Sequence, residues 1–181
     1  MEFRETRLPG CYEIQAGVYP DHRGRFVKLF SRAAFEKQGL PAEVDEWACS
    51  ASRRNVLRGL HFQIPPFEQA KLVYCLQGTV LDVAVDLRIG SATYGEHVAV
   101  ELDAERANGL FIPRGFAHGF LATSETALFA YEMQGAYSAP HDAGIRWDSC
   151  GIPWPCAEPV LSDKDRRLPA LAEFESPFRY R

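Results

Sequence analysis

Apolar residues in this chain come in short, punctuated runs. They read YEIQAGVY, RGRFVKLF, KLVYCLQG, TVLDVAVDL, HVAVEL, GLFIP and ALFAYEM, and Gly, Pro, Asp or Ser separates most of them. Many short runs at close spacing predict strands of a β-sandwich or barrel. LDVAVDLR alternates cleanly, with Leu81, Val83, Val85 and Leu87 on one face and Asp82, Ala84, Asp86 and Arg88 on the other. Helical signals are few. Ser31 ahead of RAAFEKQGL predicts a capped helix that starts at Ala33 and Phe35 and ends at Gly39. DKDRRLPALAEF predicts a second short helix, limited by Pro169. No internal repeat, low-complexity tract or linker interrupts the pattern, so residues 1–181 are expected to form a single domain.

Composition narrows the function classes. The chain is 46% hydrophobic and 24% charged, with a formal net charge of −4. A mildly acidic total argues against general nucleic-acid or membrane-surface binding, which calls for a basic surplus. Clustered arginines (Arg23, Arg25, Arg53, Arg54, Arg58) still leave room for a local pocket that takes a phosphorylated small molecule. No apolar run approaches the roughly 20 residues of a membrane span, and MEFRETRLPG lacks the apolar core of a signal peptide. Five cysteines with no CxxC pair suggest reduced thiols in a cytoplasmic protein, with Cys75 packed in the core.

The richest chemistry lies in RGLHFQIPPFEQAK, residues 58–71. Its alternation predicts strands whose polar side chains share one face. A neutral histidine there can accept a proton, and a lysine can stabilise the negative charge that results. His61 between Leu60 and Phe62 would ordinarily be a structural histidine, but Arg58, Gln63, Gln69 and Lys71 close by favour a functional one. PRGFAH fits the PxGxxH pattern of the second cupin motif, while His61, Gln63 and Glu68 fall at the spacing of the first. Gln63 stands where that motif has its second histidine, and a glutamine is a poor metal ligand. By composition alone Tyr131 is a sheet aromatic with a surface hydroxyl, and LSDKD (161–165) is a solvated charged turn.

Taken together, DHRGRF, NVLRGLHFQ, QAKLV, DVAVDLR, SATYG, IPRGFAHGF, Tyr131, IRWD, PWP and LSDKD, in this order and across nearly the whole chain, resemble the dTDP-4-dehydrorhamnose 3,5-epimerase family. The resemblance implies an all-β fold: a cupin-type jelly-roll barrel with a few short helices. It implies a homodimer that works without metal or organic cofactor on a nucleoside-diphosphate 4-keto-6-deoxyhexose. Position by position, the family's catalytic base matches His61, its paired carboxylate Asp165, its proton-donating tyrosine Tyr131 and its lysine Lys71. Arg23 and Arg58 match residues near the diphosphate and sugar, and His118 matches the second active-site histidine. Phe26, Gln63 and Tyr137 match pocket positions, and Lys164 of LSDKD joins the substrate-binding set.

The expected chemistry explains these types. A ketone at C4 acidifies the hydrogens on C3 and C5. A base removes one, Lys71 stabilises the enolate, and Tyr131 returns a proton to the opposite face. Asp165 holds the His61 ring in one tautomer. EWACSAS (46–52) departs from the family pattern, so that Glu46 and Ala48 replace amides at the nucleotide end. A carboxylate accepts hydrogen bonds only, so Glu46 would suit a base with an exocyclic amino group. Tyr131 is followed by Glu132 where the family commonly has lysine. Two other readings of the same barrel are a metal-dependent dioxygenase-like cupin and a non-catalytic sugar-nucleotide binding module.

Overall fold

The structure is a computed structural model that describes residues 1–180. In chain order the strands are β1 (Glu2–Glu5), β2 (Tyr12–Gln15), β3 (Gly17–Asp21), β4 (Gly24–Lys28), β5 (Glu46–Arg53), β6 (Leu57–Gln63), β7 (Ala70–Gln77), β8 (Thr79–Asp86), β9 (His97–Asp103), β10 (Asn108–Ile112), β11 (Phe116–Ala122), β12 (Thr126–Gln134) and β13 (Asp142–Gly144). Two short helices join them, α1 (Arg32–Lys37) and α2 (Asp163–Arg166).

Strand pairing is nested. β8 pairs with β9, β7 with β10, β6 with β11 and β5 with β12, all antiparallel. A long hairpin has thus been rolled up so that successive nested pairs alternate between two sheets. One sheet runs β1-β2-β10-β7-β12-β5, the other β13-β6-β11-β8-β9. This is the expected jelly roll. β3 and β4 form a separate two-stranded hairpin.

Side chains partition by the two-residue period of a strand. The barrel interior holds Val73, Cys75, Val80, Ala84, Leu110, Ile112, Phe116, Phe120 and Phe129. Phe35 of α1, with Ile14, Leu72, Tyr74 and Phe111, fills a second core on the outer side of the six-stranded sheet. Leu60, Phe62, Val83, Val85, Ile145 and Phe178 build a third, on the outer side of the other sheet under the C-terminal segment. The alternation of LDVAVDLR therefore separates two buried faces. Asp82, Ala84 and Asp86 are as inaccessible as the valines between them.

The two helices follow their local signals with differences. Ser31 adopts the extended N-cap conformation, but its hydroxyl makes no capping hydrogen bond. The expected C-terminal helix divides around Pro169 into α2 and a single 3-10 turn, Leu171–Glu173, because proline supplies no N–H to continue a helix. Gly59 has a φ of +126°, and a β-carbon there would come within 2.7 Å of Gly119 Cα. The close approach of β6 to β11 thus requires glycine two residues before His61.

Candidate active site

His61 projects from β6 into a cavity of about 570 Å³. Its Nε2 lies 2.6 Å from Asp165 Oδ1. An ionised carboxylate only accepts, so Nε2–H is the donor and Nδ1 is left with a free lone pair. Asp165 is fixed from its own side as well. Ser162 caps α2 by accepting the Asp165 backbone N–H at 3.1 Å, and Gly59 N–H donates to Asp165 Oδ2 at 3.4 Å. Burial pushes the Asp165 carboxyl up, but the bond and charge of His61, the Gly59 N–H and the Ser162 hydroxyl outweigh it and hold the group below its usual range. LSDKD is therefore no solvated turn at its last residue, since Asp165 is buried.

The wall opposite His61 belongs to the six-stranded sheet. Lys71 of β7 and Tyr131 of β12 face the same cavity. Burial lowers the Lys71 ammonium to about 8, against the pull of Asp142 and Asp82, with Lys164 adding to the fall. Burial raises the Tyr131 phenol to about 12, while a hydrogen bond from Ser50 and the charge of Arg58 oppose the rise. Its hydroxyl is within the cavity, 3.1 Å from Ser50 Oγ, and not at the surface.

Arg58, Gln63, Tyr137 and Lys164 also line the cavity. Arg58 Nε donates to Ser52 Oγ at 3.1 Å, and Nη2 to Ala51 O at 3.2 Å. Among the described residues, neither Arg58 nor Lys71 has a carboxylate within ion-pair distance, so both cations are available to an anionic ligand. Gln63 accepts the Ser138 N–H and so anchors the loop after β12. Lys164 Nζ is paired with Asp142 Oδ2 at 2.5 Å, and the Tyr137 hydroxyl donates to the same oxygen at 3.3 Å.

Four expected site residues lie elsewhere. Arg23 and Phe26 stand on the β3–β4 hairpin, outside this chain's cavity. Arg23 is ion-paired with its neighbour Asp21, and Phe26 is 64% exposed. The hairpin is a separate two-stranded sheet, and neither residue is among those lining the cavity. Glu46 does not line the cavity, because its Oε1 accepts the Tyr137 N–H at 2.8 Å. That bond engages the carboxylate assigned to an amino-bearing base. His118 lies in the barrel interior, 3% exposed, with Nε2 2.8 Å from Asp82 Oδ1. It sits opposite His61 in the β6–β11 register and edge-on to Tyr131 without entering the lining.

Ser50, Asp142 and Ser162 line the cavity and were absent from the sequence-based set. Only Ser162 had a local signal, as a serine three residues before the aspartate of a short helix. His61 and His118 each turn Nε2 to an aspartate, Asp165 and Asp82 respectively. Among the described residues no three His, Cys, Asp or Glu side chains form a metal-sized cluster.

Residues 5–173 match the family model for dTDP-4-dehydrorhamnose 3,5-epimerase. The chain belongs to that family. The epimerase of this name from Methanothermobacter thermautotrophicus is 44% identical over 179 residues, covering 95% of this chain and 96% of its own. Among solved structures, a dTDP-6-deoxy-D-glucose-3,5-epimerase from Legionella pneumophila in complex with dTDP-4-keto-L-rhamnose superposes with a TM-score of 0.94. It shares 36% identity, covering 99% of this chain and 98% of that one. A 3'-monoepimerase from Streptomyces bikiniensis in complex with dTDP-quinovose gives 0.87 at 33% identity, covering 92% of this chain and 86% of that one. Membership of the epimerase family makes the protein an isomerase built on the cupin-type jelly roll.

Proposed function

We propose that the protein inverts C3, C5 or both of a nucleoside-diphosphate 4-keto-6-deoxyhexose by proton abstraction through an enolate, with no cofactor. One observation carries the reading: a histidine–aspartate pair and a tyrosine come from opposing sheets onto one cavity that also holds a lysine. Facing sheets stand about 10 Å apart, which leaves room for a sugar ring between base and acid. Nδ1 of His61 takes the proton, and the new imidazolium is stabilised by Asp165. Negative charge gathers on the C4 oxygen, where the Lys71 ammonium in a sheltered site offsets it. Tyr131 then supplies a proton from the other wall, and the centre is inverted. Arg58 takes the diphosphate.

The test is proton NMR in deuterated water with dTDP, CDP and GDP 4-keto-6-deoxysugars. Wild type should exchange the hydrogen of C3, C5 or both. His61→Ala should lose about a hundredfold or more in that exchange. Full exchange in the variant would remove His61 from the role of base.

A homodimer fits the same reading. Arg23 and Phe26, matched to substrate residues by resemblance, stand outside their own cavity. Their hairpin also exposes Val18 and Tyr19 beside Phe26. A second copy would bring that hairpin to its neighbour's cavity and cover the apolar patch. Sedimentation at micromolar concentration should give a dimer, and Phe26→Asp should weaken it; a wild-type monomer with full activity contradicts it. Buried, unpaired Cys11 and Cys75 suit the reducing cytoplasm as the compartment. Activity recovered outside the cytoplasmic fraction of the source cells would refute that placement.

A further inference from the structure

Tyr131 must do two things in this reaction: give up a proton from a defined position, and carry negative charge until it is recharged. Its ring is held by packing. Phe129 meets it edge-on at 5.0 Å between centroids, His118 edge-on at 6.3 Å, and Phe120 at 6.5 Å. None of these rings satisfies the hydroxyl. Among the described residues, the hydroxyl's side-chain hydrogen-bond partner is Ser50 Oγ, at 3.1 Å.

That contact follows from the sheet. Tyr131 pairs with Ala48 across the β5–β12 ladder, and Ser50 pairs with Phe129. Ser50 is thus the diagonal neighbour of Tyr131, a separation that a long aromatic side chain spans. Ser50 is half-buried and lines the cavity, so its hydroxyl meets both the phenol and the ligand space. Charged and titratable groups around the phenol come from other elements as well: Arg58 from β6, Asp82 from β8, His118 from β11 and Cys49 from β5.

We propose that Ser50 is a positioning residue for Tyr131, which fixes the phenol and donates a hydrogen bond to the phenolate left after proton delivery. The inference rests on the epimerase reading. In the step, the Tyr131 O–H bond breaks and a C–H bond forms at the enolate carbon. The C4 carbonyl re-forms, and the negative charge passes to Tyr131 Oη. A serine hydroxyl can donate and accept at once. The phenolate therefore takes the Ser50 proton while Ser50 takes one from water in the emptied cavity. His61 releases its captured proton to solvent, and the balance closes. Burial already opposes the phenolate here, so losing a donor to it should slow delivery more than abstraction.

The experiment compares Ser50→Ala and Ser50→Thr with wild type in deuterated water, with thermal unfolding as the control for folding. It measures both hydrogen exchange and formation of inverted product. The expected result is a fall of about tenfold in inversion per exchange event for Ser50→Ala. Ser50→Thr, which keeps the hydroxyl, should retain most of the wild-type ratio. An unchanged ratio in Ser50→Ala overturns the proposal, and so does a parallel loss of exchange and inversion. A second measurement needs no turnover: carbon NMR of ring-labelled tyrosine, assigned with Tyr131→Phe. The Tyr131 titration should move to higher pH in Ser50→Ala, and no movement rejects the proposal. If wild type exchanges nothing on any sugar nucleotide, the epimerase reading fails instead, and the titration still decides the Ser50 contact.

Discussion

Replacing Asp165 by asparagine keeps the side-chain shape and removes the charge behind His61. The carboxylate is buried and 2.6 Å from Nε2. When His61 takes a proton, that contact becomes an ion pair. Two unit charges about 4 Å apart at an effective dielectric of about 20 attract by about 4 kcal/mol. His61 is itself part-exposed, with 31% of its side chain accessible, and water reduces the gain to about 2–4 kcal/mol. The expected loss in C–H exchange is therefore roughly thirtyfold to a thousandfold. A second effect favours the larger figure. If the asparagine carbonyl takes the Gly59 N–H that Oδ2 now accepts, its amide donates toward Nε2. The proton of neutral His61 then moves to Nδ1, the atom needed as base. The assay is initial-rate deuterium incorporation at C3 and C5, with substrate affinity and urea unfolding measured on the same preparation. Exchange within threefold of wild type, with the fold intact, would refute the dyad.

Lys71 sets an alkaline limit. Its charged form stabilises the enolate and is held to about 8 by burial, so turnover should be present below that pH and fall as pH rises through it. Asp142→Asn removes a carboxylate that supports the ammonium, and the limb should move to lower pH; a move upward would contradict the assignment. Gly59→Ala forces a strained φ and a backbone overlap with Gly119. It should destabilise the fold by about 2–4 kcal/mol, read as a lower urea midpoint, and an unchanged midpoint would show that the strands separate without cost.

Much of the site was visible in local sequence because strand periodicity is local. His61 and Lys71 both face the interior because each is flanked by apolar residues that face an outer core. The same rule predicts the inward direction of Tyr131 but not what its hydroxyl meets. Ser50 comes from a strand 81 residues away and sits in a stretch, ACSAS, that carries no chemical signature. Asp142 was hidden for a similar reason: a single acidic residue opening a three-residue strand looks like any solvated charge until Lys164 and Tyr137 arrive beside it. His118 is a case of the opposite kind. Its position in a motif matched a pocket residue, yet closure of the barrel sealed its ring behind the lining with Asp82.

Arg23, Phe26 and Glu46 show a third limit. Resemblance attaches a role to a position, but the fold decides which cavity that position can reach. Two of them stand on the β3–β4 hairpin, outside the lining of this chain's cavity, and a backbone N–H claims the third.

By itself, then, the order of residues determined the strands, their faces, and the chemical types available for proton transfer. These depend on neighbours within a few positions, where the backbone geometry leaves little choice. Tertiary structure alone decided that Asp165, 104 residues beyond His61, should close on that ring, and that Tyr131 should confront it from the facing sheet. Such meetings depend on nested pairing of distant strands, whose register is settled by burying three cores at once and is written in no single segment.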